Sequence, residues 1–399
     1  MPFLMAEMPI IKEGMNGFYP WADKEKTPKI LMSMSLTHNP QFETHKNNSV
    51  SRFEKFMRWM NVILILATFA AYLSPYINPI QFWQFSFFGL IYPWLLLANV
   101  LFVVFWILKK NKYALFSIGC IILGWGQVTS FVGFHFYKKI DTQNVIRVGS
   151  YNIHALGSLR YGSKTKEAKL KKENNFIQFL KRGEEIQILC TQETAKINAD
   201  FLQEKFNFPF VHRIQSKGAV IFSKYPFLNK GEIDFGTKSN SCLWADVKIN
   251  EQKVRIYSIH FQSNNVSSTA DKVIAEGDFS KKETFKKIKG MMGKFKHYAQ
   301  RRAIQAQKVA NHMATCPHPI IVCGDFNDTP QSYTYEVLSK NLTDSFKEKG
   351  TGFGTTYAGS IPALRIDFIL LDKKINVLDH QILKGNFSDH YPVITKISF

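Results

Sequence analysis

From residue 60 to residue 136 the chain contains no acidic residue, and its only lysines there, Lys109, Lys110 and Lys112, fall in one short break. A soluble helical region of that length needs a polar face, so the shortage of charge excludes a series of ordinary amphipathic helices. What remains is three apolar segments, residues 60–77, 85–108 and 113–136. A helix that crosses a bilayer needs about 20 mostly apolar residues. The second and third segments reach that length, and the first is marginal, ending near Ser74-Pro75. About three transmembrane helices are expected. A cleaved signal peptide fits worse, since the first apolar run starts far from the N-terminus and others follow it.

Cysteine is scarce: five residues and no Cys-x-x-Cys pair, which argues against a structural zinc site. Cys120 falls in an expected span, and Cys190 and Cys323 interrupt apolar runs, where a buried thiol acts as a small apolar side chain. No disulfide is expected. Acidic residues are few overall, 31 against 51 Lys and Arg, for a formal charge of +20. That balance favours anionic partners such as nucleic acid, phosphorylated small molecules or acidic lipid headgroups, without choosing among them. Excess lysine also serves solubility.

Basic residues flank the apolar segments unevenly. Arg52, Lys55 and Arg58 precede the first and Lys109, Lys110 and Lys112 follow the second, whereas residues 74–84 carry no charge. Under the positive-inside tendency the N-terminus and the second loop are cytoplasmic, and three crossings place everything after residue 136 outside the cytoplasm. Lys138, Lys139 and Arg147 oppose this orientation, and losing the first crossing would invert it.

The expected organisation is a disordered tail over 1–58, a membrane region over 59–136, a connector over 137–144 and a catalytic domain over 145–399. Within the last, β-rich runs recur at 145–153, 186–192, 218–222, 243–249, 254–261, 320–323, 365–371 and 393–397, with helical periodicity at 168–180 and 298–313. The tight turn Asn250-Glu251 makes the strands it joins antiparallel. No repeat of fixed period is present. The pattern predicts a mixed, layered α/β or α+β domain.

Four polar motifs follow in order: Tyr151-Asn152-Ile153, Gln192-Glu193, Gly324-Asp325-Phe326-Asn327 and Ser388-Asp389-His390. Most follow an apolar run, so strand ends hold short polar side chains in fixed positions. Glu193 suits a hard cation such as Mg²⁺, while Gln192 and Asn152 offer a side-chain carbonyl. Asp325 and Asn327 are expected on one side of an extended chain, with Phe326 turned into the core and Gly324 letting the backbone pass close to a ligand. Asp367 is a charge set among Ile366, Phe368 and Ile369, and His390 satisfies it. His260 closes a strand and is a second candidate for phosphate. His154, His212, His297 and His312 have no comparable setting and are taken as structural or exposed.

Together these residues resemble the endonuclease/exonuclease/phosphatase family, the deoxyribonuclease I-like superfamily. The likeness covers residues 145–399 and extends to Gly218-Ala219-Val220-Ile221-Phe222-Ser223-Lys224-Tyr225-Pro226 and to Tyr257-Ser258-Ile259-His260-Phe261. It implies a four-layered αββα sandwich with the site at one end of its sheets. It also implies that Asn152 and Glu193 serve a divalent metal, Mg²⁺ or Mn²⁺, with Asp389 beside it. Asp325 and Asn327 would position water and phosphate, Asp367 and His390 would form a carboxylate–imidazole pair, and His260 would contact phosphate. The general base is assigned to His390 with Asp367, and Asp325 is the alternative. Substrate contacts fall to Asn152, His260 and Asn327.

The expected protein is therefore a membrane-integral, multi-pass phosphoester hydrolase with an extracytoplasmic catalytic domain, and nucleic acid is its favoured substrate. A lipid or small-molecule phosphodiesterase or phosphatase, sphingomyelinase-like or inositol-phosphatase-like, is the alternative, and an inactive binding domain ranks last. No obligate protein partner is expected. Substrate choice is expected to involve the insertion between residues 261 and 302, where Lys281, Lys282, Lys286, Lys287, Lys289, Lys294 and Lys296 alternate with Phe279, Phe285, Met291, Met292 and Phe295.

Overall fold

Two six-stranded sheets lie face to face because most of their strands are apolar on both sides. The structure, a computed structural model, describes residues 51–136, 144–160, 165–237, 239–263, 282–359 and 361–399. The first fifty residues of the expected tail, residues 137–143 of the expected connector over 137–144, and Lys281 and Phe279 of the insertion lie outside the described residues.

Strand alternation sets the layers. In β7 (Ser241–Ile249), Leu243, Ala245, Val247 and Ile249 enter the core between the sheets, while Cys242 enters a separate core on the outer face. In β2 (Ile146–Asn152), Ile146 and Val148 likewise face the centre and Tyr151 faces outward. Each Leu, Ile or Val among these, fully buried, contributes about 1.5–3 kcal/mol of transfer free energy. One sheet runs β13-β14-β2-β3-β5-β4, from strands Asn376–Ile382, Val393–Ser398, Ile146–Asn152, Ile188–Gln192, Val220–Ser223 and Phe210–Arg213. The other runs β10-β12-β9-β8-β7-β6, from Leu342–Asp344, Asp367–Asp372, Ile320–Asp325, Gln252–His260, Ser241–Ile249 and Phe227–Ile233.

Helices α8 (Lys166–Lys181) and α9 (Lys196–Lys205) cover the first sheet through Phe176, Leu180 and Leu202. Helices α10 (Lys282–Ala314) and α11 (Tyr333–Ser339) cover the second through Ala306, Val309 and Leu338. This is the expected four-layered arrangement. Asn250 and Glu251, both at positive φ, make the expected tight turn between β7 and β8, which pair antiparallel. Within these sheets, strands β4, β6, β10 and β13 were not expected; β6 has no fully buried residue and lacks the apolar face that reveals its neighbours.

Two parallel pairs, β2 with β3 and β8 with β9, fix where the chemistry sits. Their registers set Asn152 opposite Gln192 and His260 opposite Asp325, and the antiparallel pairing of β9 with β12 sets Asp367 opposite Asp325. Gly324 is required here by the neighbouring strand, because a Cβ on it would lie 2.2 Å from the carbonyl oxygen of Ile259.

The N-terminal region departs from three uninterrupted helices. Helix α1 (Arg52–Leu73) starts at Ser51, whose hydroxyl accepts from the Glu54 N–H at 3.1 Å. With the turn that follows it, α1 is the one helix among the described residues long and apolar enough to cross a membrane unbroken. The second apolar segment divides into α3 (Gln84–Leu90) and α4 (Tyr92–Leu108), bent by 62° at Ile91. Pro93, in the first turn of α4, lacks the N–H that would continue the ladder. The third segment forms α5 (Ala114–Leu123) and α6 (Trp125–Val128), and its last residues form β1 (Val132–Phe134), which pairs with β11 (Thr351–Phe353). The expected helix over 113–136 therefore ends early, because the C-terminal domain takes its end as a strand.

These helices are polar inside and apolar outside. Asn61 donates to the Ser117 hydroxyl at 2.8 Å and accepts from the Trp106 indole at 3.1 Å, and Asn99 donates to Thr68 at 2.9 Å. All five are buried. By contrast, of the 30 exposed large apolar side chains among the described residues, 25 fall between Phe53 and Phe136.

Candidate active site

Asn152 ends β2, and its side chain is fully buried between two carboxylates. Its Nδ2 donates to Glu193 Oε1 at 3.1 Å and to Asp325 Oδ2 at 3.0 Å, while its Oδ1 accepts from the His154 N–H at 3.0 Å. The Asn152 amide thus orients two acids through Nδ2 while its oxygen accepts one backbone hydrogen bond. Glu193 follows β3 at a φ of 53°, which turns its carboxylate away from the strand. Gln192, the other candidate of that motif, points between the sheets toward Ser258 and is not in the site.

Asp325 closes β9. Its Oδ1 accepts from the Asn327 N–H at 2.8 Å and its Oδ2 from the Asn327 side chain at 3.1 Å, while Phe326 is buried in the outer core. The chain is not extended there, since Asn327 has a φ of 52°. Asparagine tolerates that conformation, and the turn brings both polar groups together. Asp367 and His390 meet as expected: His390 Nδ1 lies 2.9 Å from Asp367 Oδ2, and both are buried. Ser388 joins this loop to β2 by donating to the Asn152 carbonyl at 2.8 Å.

Electrostatics follow from that burial. Burial alone would lower the His390 pKa, but the Asp367 and Asp325 carboxylates outweigh it and raise it to about 10. Burial raises Asp367 to about 6, with the His390 charge opposing. Asp325, Asp367 and His390 form one compact group of possible metal ligands. His260 Nε2 stands 3.7 Å from Glu193 and 3.8 Å from Asp325, and neither of its ring nitrogens has a hydrogen-bond partner although the residue is only 4% exposed. A buried imidazole with both nitrogens unspent marks a place for a polar ligand.

His154 belongs to the site although its sequence setting did not show it. Its Nδ1 lies 3.3 Å from Glu193 and 3.4 Å from Asp389, so the imidazole stands between two carboxylates. The available signal was its position two residues after Asn152. Thr356 was also missed: its buried hydroxyl accepts from the N–H groups of Ile366 and Asp367 at 3.0 and 3.1 Å. His212 and His312 have structural partners, the Gly231 carbonyl and the Tyr257 hydroxyl.

A cleft of about 1040 Å³ opens beside Glu193 and His260, and Lys196, Arg213 and Lys217 lie along it. Acids that converge under a solvent cleft, with imidazoles aimed at the same gap, can hold a cation and a phosphoryl group together.

Residues 149–390 match the model of the endonuclease/exonuclease/phosphatase family, and residues 54–131 match a domain of unknown function (DUF8431). No curated protein matches the chain. Among solved structures, an endonuclease/exonuclease/phosphatase from Bacteroides vulgatus is 19% identical, with 64% of this chain and 100% of that one covered and a TM-score of 0.44. A mannosyl-6-phosphatase from Bacteroides thetaiotaomicron is 16% identical over 64% of this chain and 100% of that one, with a TM-score of 0.43. The D. rerio TDP2, complexed with a single-strand DNA product, is 15% identical over 64% and 100%, with a TM-score of 0.45. The family match spans more than half of the sequence and contains every motif that builds the site, so the chain belongs to the endonuclease/exonuclease/phosphatase family and is a metal-dependent phosphoester hydrolase.

Proposed function

We propose that this protein is a membrane-anchored phosphodiesterase that takes a divalent cation, Mg²⁺ or Mn²⁺, and that nucleic acid is its favoured substrate. The observation that carries the chemistry is the meeting of Glu193, Asp325 and the unpartnered His260 at one gap. The donor set fits a hard cation, because Glu193 and Asp389 offer carboxylate oxygen on the solvent side of the site. Those two residues would hold it, and Asn152 fixes Glu193 for the purpose. A bound cation supplies charge neutralisation at the scissile phosphate.

The remaining work belongs to side chains. His260 donates to a non-bridging phosphate oxygen through a nitrogen that otherwise has no partner. Asn327 fixes Asp325 through two hydrogen bonds, so the carboxylate points toward the gap and accepts the proton of the attacking water. His390 is bonded to Asp367 through Nδ1 and faces Asp325 through Nε2 at 3.8 Å. A ring set between two carboxylates is best used as a donor, to phosphate or to the leaving oxygen. This assigns the base to Asp325 and moves His390 from base to acid.

Support for anchoring comes from the inverted helices. Asn61, Thr68, Asn99 and Ser117 are inside and the apolar side chains are outside, as a hydrocarbon solvent requires. Asn111 donates to Glu54 at 2.8 Å and Arg58 covers the Tyr113 ring, so the basic ends of three segments lie together. The catalytic domain meets the opposite ends, at Ala71, Gly89 and Ser130. With basic ends inside, the site is extracytoplasmic.

The basic residues of the cleft favour nucleic acid. The lipid-phosphoester reading rests on a different observation, the attachment of the Asp325 loop to the helices through Thr329 and Gln331. The test is metal-dependent hydrolysis by the purified full chain on single- and double-stranded DNA, RNA, sphingomyelin and inositol phosphates, beside His390→Ala. Nucleic acid cleavage abolished by chelator and by the variant is expected. Turnover of lipid or small esters alone would replace the nuclease reading, and turnover unchanged by chelator would remove the metal assignment.

A further inference from the structure

We propose that the N-terminal half of α10 lies on the membrane surface and binds anionic phospholipid headgroups through Lys286, Lys289, Lys294 and Lys296. The inference rests on the anchored reading above and extends it to a surface outside the active site.

Helix α10 has 33 residues, so it is about 50 Å long at 1.5 Å per residue. Only its C-terminal half covers the sheet, through Ala303, Ala306 and Val309. The other half reaches the apolar helices. Phe295 is buried with its ring centroid 6.4 Å from that of Trp83 and 6.1 Å from that of Phe87. Gln300 donates toward the Pro79 and Ile80 carbonyls at 3.3 and 3.4 Å. These contacts seat α10 on the connector between α1 and α4, the end of the apolar region that meets the catalytic domain.

Its two faces differ in chemistry. Ile288, Met291, Met292 and Phe295 recur at the spacing of one helical face and are partly or wholly buried. Lys286, Lys289, Lys294 and Lys296 lie on the exposed remainder. No acidic residue occurs from 286 to 314, so that stretch of the helix is uniformly basic. The connector beneath carries no charge and exposes Ile80 and Phe82. A cationic face beside an apolar rim suits an interface where acyl chains cover the rim and lysine stems reach up to phosphate. Nucleic acid would meet the lysines and leave the apolar rim in water.

The full chain, reconstituted in nanodiscs of phosphatidylcholine with phosphatidylglycerol, tests this by the enrichment of spin-labelled phosphatidylglycerol over phosphatidylcholine at the protein surface. Replacing the four lysines with glutamine is expected to reduce enrichment by up to about fivefold per lysine at low salt, whereas replacing them with arginine keeps it. Equal enrichment in the glutamine variant and the parent, with both retained in the bilayer, overturns this proposal alone. So does loss of single-stranded DNA binding without loss of lipid enrichment. A chain that washes out of vesicles at alkaline pH overturns the anchored reading and this one with it.

Discussion

Gln331, six residues beyond the buried carboxylate of Asp325, donates its side-chain amide to the carbonyl oxygen of Ala71 in helix α1 at 3.0 Å. Thr329 donates to the Gly89 carbonyl at 3.2 Å. Arg365, two residues before Asp367, donates to Ser130 at 2.8 Å while its other nitrogens grip Asp344. Both acids at the centre of the site are therefore tied, over a few residues, to the apolar helices. Those helices are part of what holds the catalytic loops.

Gly89 makes that dependence measurable. A Cβ there would lie 2.0 Å from the Gln331 carbonyl oxygen, so Gly89→Val forces the loop to move. Displacement of about 1 Å in a catalytic group costs on the order of 100-fold in rate. The full-length variant is expected to lose kcat by about that factor with KM less affected. Unchanged kcat would show that the loop does not need its seat.

Glu193→Gln removes one carboxylate from beside Asp389 and His154. The metal concentration needed for half-maximal activity is expected to rise at least about tenfold, in line with the loss seen when groups around a metal site are changed. A metal titration of the variant checks this, and an unchanged midpoint would take Glu193 out of the site's cation-holding set.

The Asp367–His390 pair has a pH signature. Because the folded pKa of His390 is raised to about 10, its stabilising contribution is complete below its unfolded value near 6.5 and is lost as pH rises through about 10. In chelator, parent thermal stability should fall over that alkaline window, and Asp367→Asn should flatten the fall. The same variant should lose roughly 10²–10⁴ in kcat with its fold intact. An alkaline profile identical to the parent's would argue against the pair.

His380 works in the opposite direction. It is buried against Ser345 and Thr395, and burial depresses its pKa to about 3. Its contribution is present above the unfolded value near 6.5 and is lost as pH falls toward 3, a loss on the order of a few kcal/mol. His380→Gln should be less stable than the parent at neutral pH and lose less on acidification. Urea denaturation between pH 7 and pH 4 measures both.

Much of this protein is legible from local pattern. Apolar runs on β2, β3, β8, β9 and β12 are buried on both faces, and a continuous run signals that burial without reference to partners. The buried charge of Asp367 announces its need for His390 for the same reason: an unpaired ion in an apolar strand is too costly to persist. Motif order, the shortage of acids over 60–136 and the turn at Asn250-Glu251 are likewise properties of neighbours along the chain.

Other features depend on groups far apart in sequence. His154 is a lone histidine until β3 and the Ser388–His390 loop bring Glu193 and Asp389 to its two sides. Asn152 is a lone polar strand end until β3 and β9 bring the Glu193 and Asp325 carboxylates to its Nδ2. Residues 132–134 read as the end of a helix until Thr351–Phe353 offers a strand to pair with. Composition and spacing determined the family, the layers and the charge-poor helices, because burial and periodicity act over a few residues. Hydrogen-bond partners 41 to 260 positions apart decided the roles within the site and its attachment to those helices, because only the folded chain brings those groups to hydrogen-bond distance.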